Sequence, residues 1–273
     1  MRTSILAFTL LMCSSLYAQN SIEKVWETDT LLKVPESVLF SAGDKILYVS
    51  NINGTSMEKD GNGSIGKVDL NGKIINAEWV KGLDAPKGLG LYKNFLYAAD
   101  LDKVAVIDTK KGTITEKIPV EGAQMLNDLT IDSNGIIYTS DSRGNKVYRI
   151  ENKKAELYLE NTRGVNGLLA VGNDLYMLTS GKLQKAGKDK NITIVAEGLE
   201  SSTDGLEMIK EGEFIVTSWN GVIYYVKSDG SKQTLLDTRD KKLQSADLGY
   251  DPKNRILYIP TFSTNSIHAY KLK

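Results

Sequence analysis

Leu126-Asn127-Asp128-Leu129, followed by Ile136-Ile137-Tyr138-Thr139-Ser140-Asp141, is the stretch that decides the fold. The first piece reads as a strand entry with polar residues at its mouth. The second alternates apolar and polar positions in the order apolar-Tyr-apolar-small-polar, as a half-buried strand does. Asn134-Gly135 between them is a hairpin turn.

The same phrase returns five times. Pro35-Glu36-Ser37-Val38 precedes Ile46-Leu47-Tyr48-Val49-Ser50-Asn51, and Pro86-Lys87-Gly88-Leu89 precedes Phe95-Leu96-Tyr97-Ala98-Ala99-Asp100. Val165-Asn166-Gly167-Leu168 precedes Asp174-Leu175-Tyr176-Met177-Leu178-Thr179. Thr203-Asp204-Gly205-Leu206 precedes Glu213-Phe214-Ile215-Val216-Thr217-Ser218, and Ala246-Asp247-Leu248-Gly249 precedes Ile256-Leu257-Tyr258-Ile259-Pro260-Thr261. The second residues of these phrases are spaced by 51, 40, 39, 38 and 43 positions. That is six units of blade length, the first carrying an insertion of about ten residues.

Each unit continues into a third strand, such as Asn145–Ile150, and a fourth, such as Ala155–Leu159. No stretch of residues 19–273 carries a helical period. Four short antiparallel strands repeated six times predict a six-bladed β-propeller, with a β-helix or paired β-sandwiches as the alternatives. The last unit ends after its third strand, Ser266–Leu272, so Ile22-Glu23-Lys24-Val25-Trp26 is expected to supply the fourth and close the ring.

Composition narrows the function. The chain has 273 residues, 41% apolar and 25% charged, with 34 basic and 34 acidic side chains. These proportions exclude a disordered chain and a multi-span membrane protein. Zero net charge offers no field for a nucleic-acid backbone, and no polybasic run addresses a membrane surface. The single histidine, His268, excludes any mechanism needing two, and it sits in an alternating closing strand where a structural role is expected. The single cysteine, Cys13, excludes an intrachain disulfide.

Arg2, the apolar run Ile5–Met12 and Ser14-Ser15-Leu16-Tyr17-Ala18 read as a secretory signal peptide over residues 1–18, cut after Ala18. Met12 is too bulky to precede a lipidated Cys13. Residues 19–273 are therefore expected as one propeller domain, exported to a periplasm or the outside.

In a propeller the first strand of each blade lines the central channel, and its entry residues ring one mouth. The equivalent positions are Glu36, Lys87, Asn127, Asn166, Asp204 and Asp247, all polar beside hydrophobic strands. A solvated channel wall is the plain explanation. The donor types suggest more: Glu36, Asn127, Asn166 and Asp204 all offer oxygen, which suits one divalent ion, calcium first, with magnesium, manganese or zinc as alternatives. Lys87 and Asp247 are left either to pair with each other or to steer a substrate. In a competing arrangement Lys87 pairs with Glu36 or Asp204 and takes the ion's place.

The phrases around Glu36, Asn127-Asp128, Asn166-Gly167 and Asp204-Gly205 resemble those of the senescence-marker-protein, gluconolactonase and luciferin-regenerating-enzyme family. The resemblance covers nearly all of residues 19–273. It implies a six-bladed propeller with one divalent metal on the channel axis, held by Glu36, Asn166 and Asp204, and Asn127 near substrate and metal. Sugar-lactonase members carry a substrate-contacting Arg where this chain has Met125, and Lys87 is foreign to the pattern.

The chemistry implied is hydrolysis of lactones or related small cyclic esters. Asp204 would position or deprotonate water, and Lys87 would stabilise developing negative charge. Asn127, Lys87, Asp247 and Trp219 would bind a small-molecule substrate, a lactone or sugar derivative. The alternative is a non-catalytic propeller binding a sugar, peptide or protein partner. Glu58-Lys59-Asp60-Gly61-Asn62-Gly63, in the insertion, reads as a rim loop and partial lid with Asn51 and Asn53 at its base. Asp100, Asp141 and Ser218 read as turn caps. No nucleophile elbow, phosphate loop or dinucleotide fingerprint is present.

Overall fold

The computed structural model describes residues 19–273; the expected signal peptide and Cys13 lie outside the described residues. The repeat phrase becomes six four-stranded antiparallel sheets. Blade 1 is built from Pro35–Ser41, Ile46–Asn51, Gly63–Asp69 and Ile74–Leu83, and blade 2 from Pro86–Tyr92, Phe95–Asp100, Lys103–Asp108 and Thr113–Pro119. Blade 3 uses Leu126–Ile131, Ile137–Asp141, Lys146–Glu151 and Lys154–Leu159. Blade 4 uses Val165–Val171, Asp174–Thr179, Lys182–Ala186 and Ile192–Ala196. Blade 5 uses Thr203–Lys210, Glu213–Ser218, Val222–Val226 and Lys232–Asp237. Blade 6 joins Gly249–Asp251, Ile256–Pro260 and Ile267–Leu272 to the N-terminal strand Ile22–Glu27.

The closing strand is the one expected. Ile22 pairs with Leu272 and Glu27 with His268, so blade 6 contains both ends of the described chain and the outer edge of Ile267–Leu272 is covered. Trp26 adds a side-chain clasp, its ring 5.7 Å from that of Tyr258.

The core lies between blades. Each interface buries its own apolar cluster: Tyr48 and Leu83 meet Leu96 and Ile107 between blades 1 and 2, and Val104 and Ile118 meet Leu126 and Ile150 between blades 2 and 3. The same holds round the ring to Val38 and Leu47 of blade 1 against Tyr258 and Ala269 of blade 6. Because a strand's side chains alternate, both faces of every blade are apolar and both are covered.

A bulge recurs at each inner-strand entry in the first five blades. Pairing slips between Pro35 and Ser37, Pro86 and Leu89, Leu126 and Leu129, Val165 and Leu168, and Thr203 and Leu206. A bulge leaves a residue out of the ladder and re-aims its side chain. In three blades the small polar residue of the second strand takes over the lost pairing: Ser37 N donates to Ser50 Oγ at 2.9 Å, Asp128 N to Ser140 Oγ at 2.9 Å, and Gly205 N to Thr217 Oγ1 at 2.8 Å. The small-polar position of the phrase therefore exists to satisfy a backbone N–H that the bulge orphans.

Candidate active site at the channel mouth

The bulged positions carry Glu36, Lys87, Asn127, Asn166 and Asp204, and all five line one cavity of about 410 Å³ at the mouth of the channel. Five blades thus deliver a polar side chain to one level, as the spacing predicts.

Blade 6 does not. Tyr258 pairs with Gly249, as Tyr48 pairs with Leu39 and Tyr138 with Thr130, which aligns Ala246 with Glu36 and Asn127. Asp247 is one residue deeper, bridged to Ser37, and Ser37 Oγ donates to its Oδ2 at 2.5 Å. The expected ring member Asp247 is therefore corrected to Ala246. Asp247 instead lines a second cavity, of about 200 Å³, beneath the mouth, together with Asp128 and Glu207.

Between blades 4 and 5, and between blades 5 and 6, the inner strands leave no room for a side chain at the residue after the ring position. A Cβ on Gly167 would stand 2.2 Å from the carbonyl oxygen of Asp204, and one on Gly205 would stand 2.5 Å from the amide nitrogen of Leu248. The Gly of Asn166-Gly167 and of Asp204-Gly205 is thus a packing requirement that brings the neighbouring ring residues together.

Glu36 and Asp204 are nearly fully buried, at 6% and 4% exposure. Burial, and after it the charge of Asp204, drives the Glu36 carboxyl well above the usual carboxylate range. Burial, followed by the charge of Asp247, pushes Asp204 up to about 8. Asn166 Nδ2 donates to Asp204 Oδ1 at 2.8 Å and to the Thr203 carbonyl at 3.3 Å. Three buried oxygens on residues lining the mouth are left with no protein partner: Glu36 Oε2, Asn166 Oδ1 and Thr203 Oγ1. Orphaned buried oxygens are costly, and two of these three belong to the expected ligand set. The oxygens fit a hard divalent cation. No group of three or more His, Cys, Asp or Glu side chains disposed to hold a metal occurs among the described residues, so such an ion depends on the Asn amide.

Lys87 forms neither of its expected pairs. Lys87 is 3% exposed, and its ammonium donates to the carbonyls of Ser56 at 3.1 Å and Ala85 at 3.2 Å. Two of its three protons are committed and one is left for the cavity. Burial lowers its pKa while Glu36, Asp100 and Asp204 hold it up. Ser56 belongs to the insertion, which reaches the mouth and is tied down by Lys59 to Asp102 at 2.5 Å and by Gly61 N to Asp84 Oδ1 at 3.2 Å. Asn53 braces the loop through the Asn62 carbonyl at 3.0 Å, whereas Asn51 turns into blade 1 and donates to the Ala77 carbonyl at 3.0 Å.

The remaining candidates separate cleanly. Asp100 accepts from the amides of Asp84 and Ala85, and Asp141 from those of Gln124, Met125 and Gly144, so both are turn caps. Ser218 Oγ lies 2.8 Å from Ser202 Oγ. Asn127 Nδ2 donates to Ser142 Oγ at 3.1 Å, which leaves its carbonyl oxygen for a ligand. His268 is buried in the closing strand beside Tyr270 and Glu27, and burial lowers its pKa to about 4.

Trp219 lines the mouth, 40% exposed, and its ring meets Phe262 edge-on at 5.6 Å. Phe262, Ile52 and Ser142 escaped the sequence reading, yet each follows the last residue of a repeat phrase, as Trp219 does. The signal was a repeat position occupied by unlike residues.

No protein-family model and no curated protein matches the chain by sequence. Solved structures do match by shape. A gluconolactonase-family protein superposes with a TM-score of 0.68 at 14% identity, over 94% of this chain and 93% of that one. Luciferin-regenerating enzyme gives 0.67 at 15%, over 93% and 95%. A virginiamycin B lyase from Staphylococcus aureus, catalytically inactive through replacement of a histidine, gives 0.66 at 14%, over 93% and 100%. The fold is shared. The first two, both six-bladed propellers, are the kind that the ring phrases resemble. The lyase depends on a histidine, whereas His268 of this chain lies away from the mouth.

Proposed function

We propose that the protein is an exported, metal-dependent hydrolase of lactones or related small cyclic esters, working at the mouth where Glu36, Asn166 and Asp204 converge. The observation that carries this reading is the pair of buried, partnerless oxygens on Glu36 and Asn166 beside the Asp204 carboxyl. Those three side chains would hold one divalent ion, calcium being favoured by oxygen-only donors. When bound, the ion supplies polarisation of the ester carbonyl and a more acidic water.

The chain's own groups do the rest. Asn166 fixes one Asp204 oxygen, so Oδ2 is the atom that accepts a proton from attacking water. Lys87 directs its remaining N–H at the oxyanion that forms as the carbonyl is attacked. Asn127 orients the ring through its free amide oxygen, and Trp219 walls one side. Asp247, below the mouth, acts on the reaction through the charge it imposes on Asp204.

Metal analysis of the purified protein, followed by a lactone panel with and without chelator, tests this directly. Stoichiometric metal and chelator-sensitive turnover support the hydrolase. A metal-free protein with an intact fold and no turnover would instead favour a binding propeller for a sugar, peptide or protein partner. That second reading draws on the lack of any three-carboxylate or histidine cluster among the described residues. No helix among those residues is long and apolar enough to cross a membrane.

A further inference from the structure

The mouth is two-sided. Blades 1 to 5 place Glu36, Lys87, Asn127, Asn166 and Asp204 on its floor, while blade 6 places only Ala246 at that level, fully buried. Above this gap stands Phe262. It packs on the cluster around Ile52 and meets Trp219 edge-on, so Ile52, Phe262 and Trp219 form one continuous apolar wall across blades 1, 6 and 5. Met125 on blade 3 faces the same cavity from the far side. Trp219 remains 40% exposed, a large aromatic surface held at a cavity with nothing covering it.

A ligand bearing hydroxyl groups all round cannot satisfy this sector. Hydroxyls turned toward Ile52, Phe262 and Trp219 would lose water and gain no partner. An aromatic ring would find apolar contact and edge-to-face neighbours there. The Phe262 backbone is left-handed, with φ of 51°, and so are Leu101 and Ser180 at the same repeat position. The chain therefore carries a bulky ring at a corner where glycine would be easier, and that ring forms the wall.

We propose that this wall is the seat of an aromatic substituent on the substrate, so that the protein takes small aryl-bearing cyclic esters in preference to polyhydroxylated sugar lactones. The inference rests on the hydrolase reading for the cyclic ester and on the wall alone for the aromatic group.

Five-membered lactams, which resist hydrolysis, separate the two. The full chain is titrated in calcium buffer by ligand-observed NMR with a phenyl-substituted lactam, its unsubstituted parent and a hydroxymethyl analogue. The phenyl lactam is expected to bind about tenfold tighter than the parent, the scale of an added apolar group in a fitted pocket, and the hydroxymethyl analogue no tighter. Trp219→Ala and Phe262→Gly are expected to remove most of that advantage. Calcium affinity reports their intact fold, and Val25→Ala, on the exposed outer face of the closing strand, serves as the silent control. Equal binding of phenyl and parent lactams, no binding of either, or an advantage that survives both substitutions overturns the proposal. A phenyl advantage lost in the variants, with no lactone hydrolysed, upholds the aromatic seat and sinks the hydrolase reading. Lactone turnover without any aryl preference does the reverse.

Discussion

Asn166 Nδ2 reaches across from blade 4 to donate to Asp204 Oδ1 of blade 5 at 2.8 Å, and in doing so leaves its own Oδ1 buried without a partner. One amide thus fixes a neighbouring carboxylate and presents an oxygen beside it. The geometry makes the two residues a unit, and substitutions at either should be felt at both.

Asp204→Asn and Glu36→Gln remove charge while keeping shape. Each is expected to weaken calcium binding by at least tenfold, measured by calorimetry on chelator-treated protein. In the absence of metal the same variants should melt higher than the parent, because each deletes a buried acid that burial disfavours. Unchanged calcium affinity in both would remove them from the ligand set.

Lys87→Met should act in the opposite sense on the metal. A unit charge near Glu36 and Asp204 opposes a cation by about 1–2 kcal/mol after protein and water screening, so calcium should bind about tenfold tighter without it. Lactone turnover should nevertheless fall, since the donor to the oxyanion is gone. Limited proteolysis should also cut more readily near Ser56, whose carbonyl holds the ammonium.

Glu207 predicts a pH dependence. Burial, then the charge of Asp247, raises its pKa to about 8, against an ordinary 4.5 in the unfolded chain. Between those values the folded state holds a proton that the unfolded state has lost, so stability declines as pH rises through the window. Denaturant melts of metal-free protein should show this decline from about pH 4.5 to 8. Glu207→Gln should make the slope shallower without abolishing it, because Asp204 and Glu36 are raised in the same way; an unaltered slope would remove Glu207 from the effect.

Gly167→Ala tests the close approach of the blades. With a Cβ only 2.2 Å from the Asp204 carbonyl oxygen, the strands must part. A loss of about 1–3 kcal/mol in unfolding free energy is expected, together with weakened metal binding. Gly43→Ala, where nothing lies within 4 Å, is the matched control and should be near neutral.

The strands and five of the six ring positions could be read from the chain because they repeat. Each of those five inner entries carries the same bulge, and in blades 1, 3 and 5 an equivalent hydroxyl satisfies it. Asp247 misled because Asp247-Leu248-Gly249 imitates Asp204-Gly205-Leu206 one position out of step. A strand's side chains alternate, so a slip of one residue takes the acid from the mouth to the level below. Phe262 and Ile52 were hidden for a different reason: the position after the repeat phrase bears no common residue type.

By itself the sequence determined the blade count, the ring closure by Ile22–Trp26 and the oxygen-donor character of the mouth, since periodicity and residue chemistry are local properties. Tertiary structure alone decided that Ala246 stands where an acid was expected, that Lys87 spends two protons on the carbonyls of Ser56 and Ala85, and that Ile52, Phe262 and Trp219 join into a wall. Those facts depend on how blades distant in sequence are brought to one level, and the register between inner strands is set by contacts that no single strand contains.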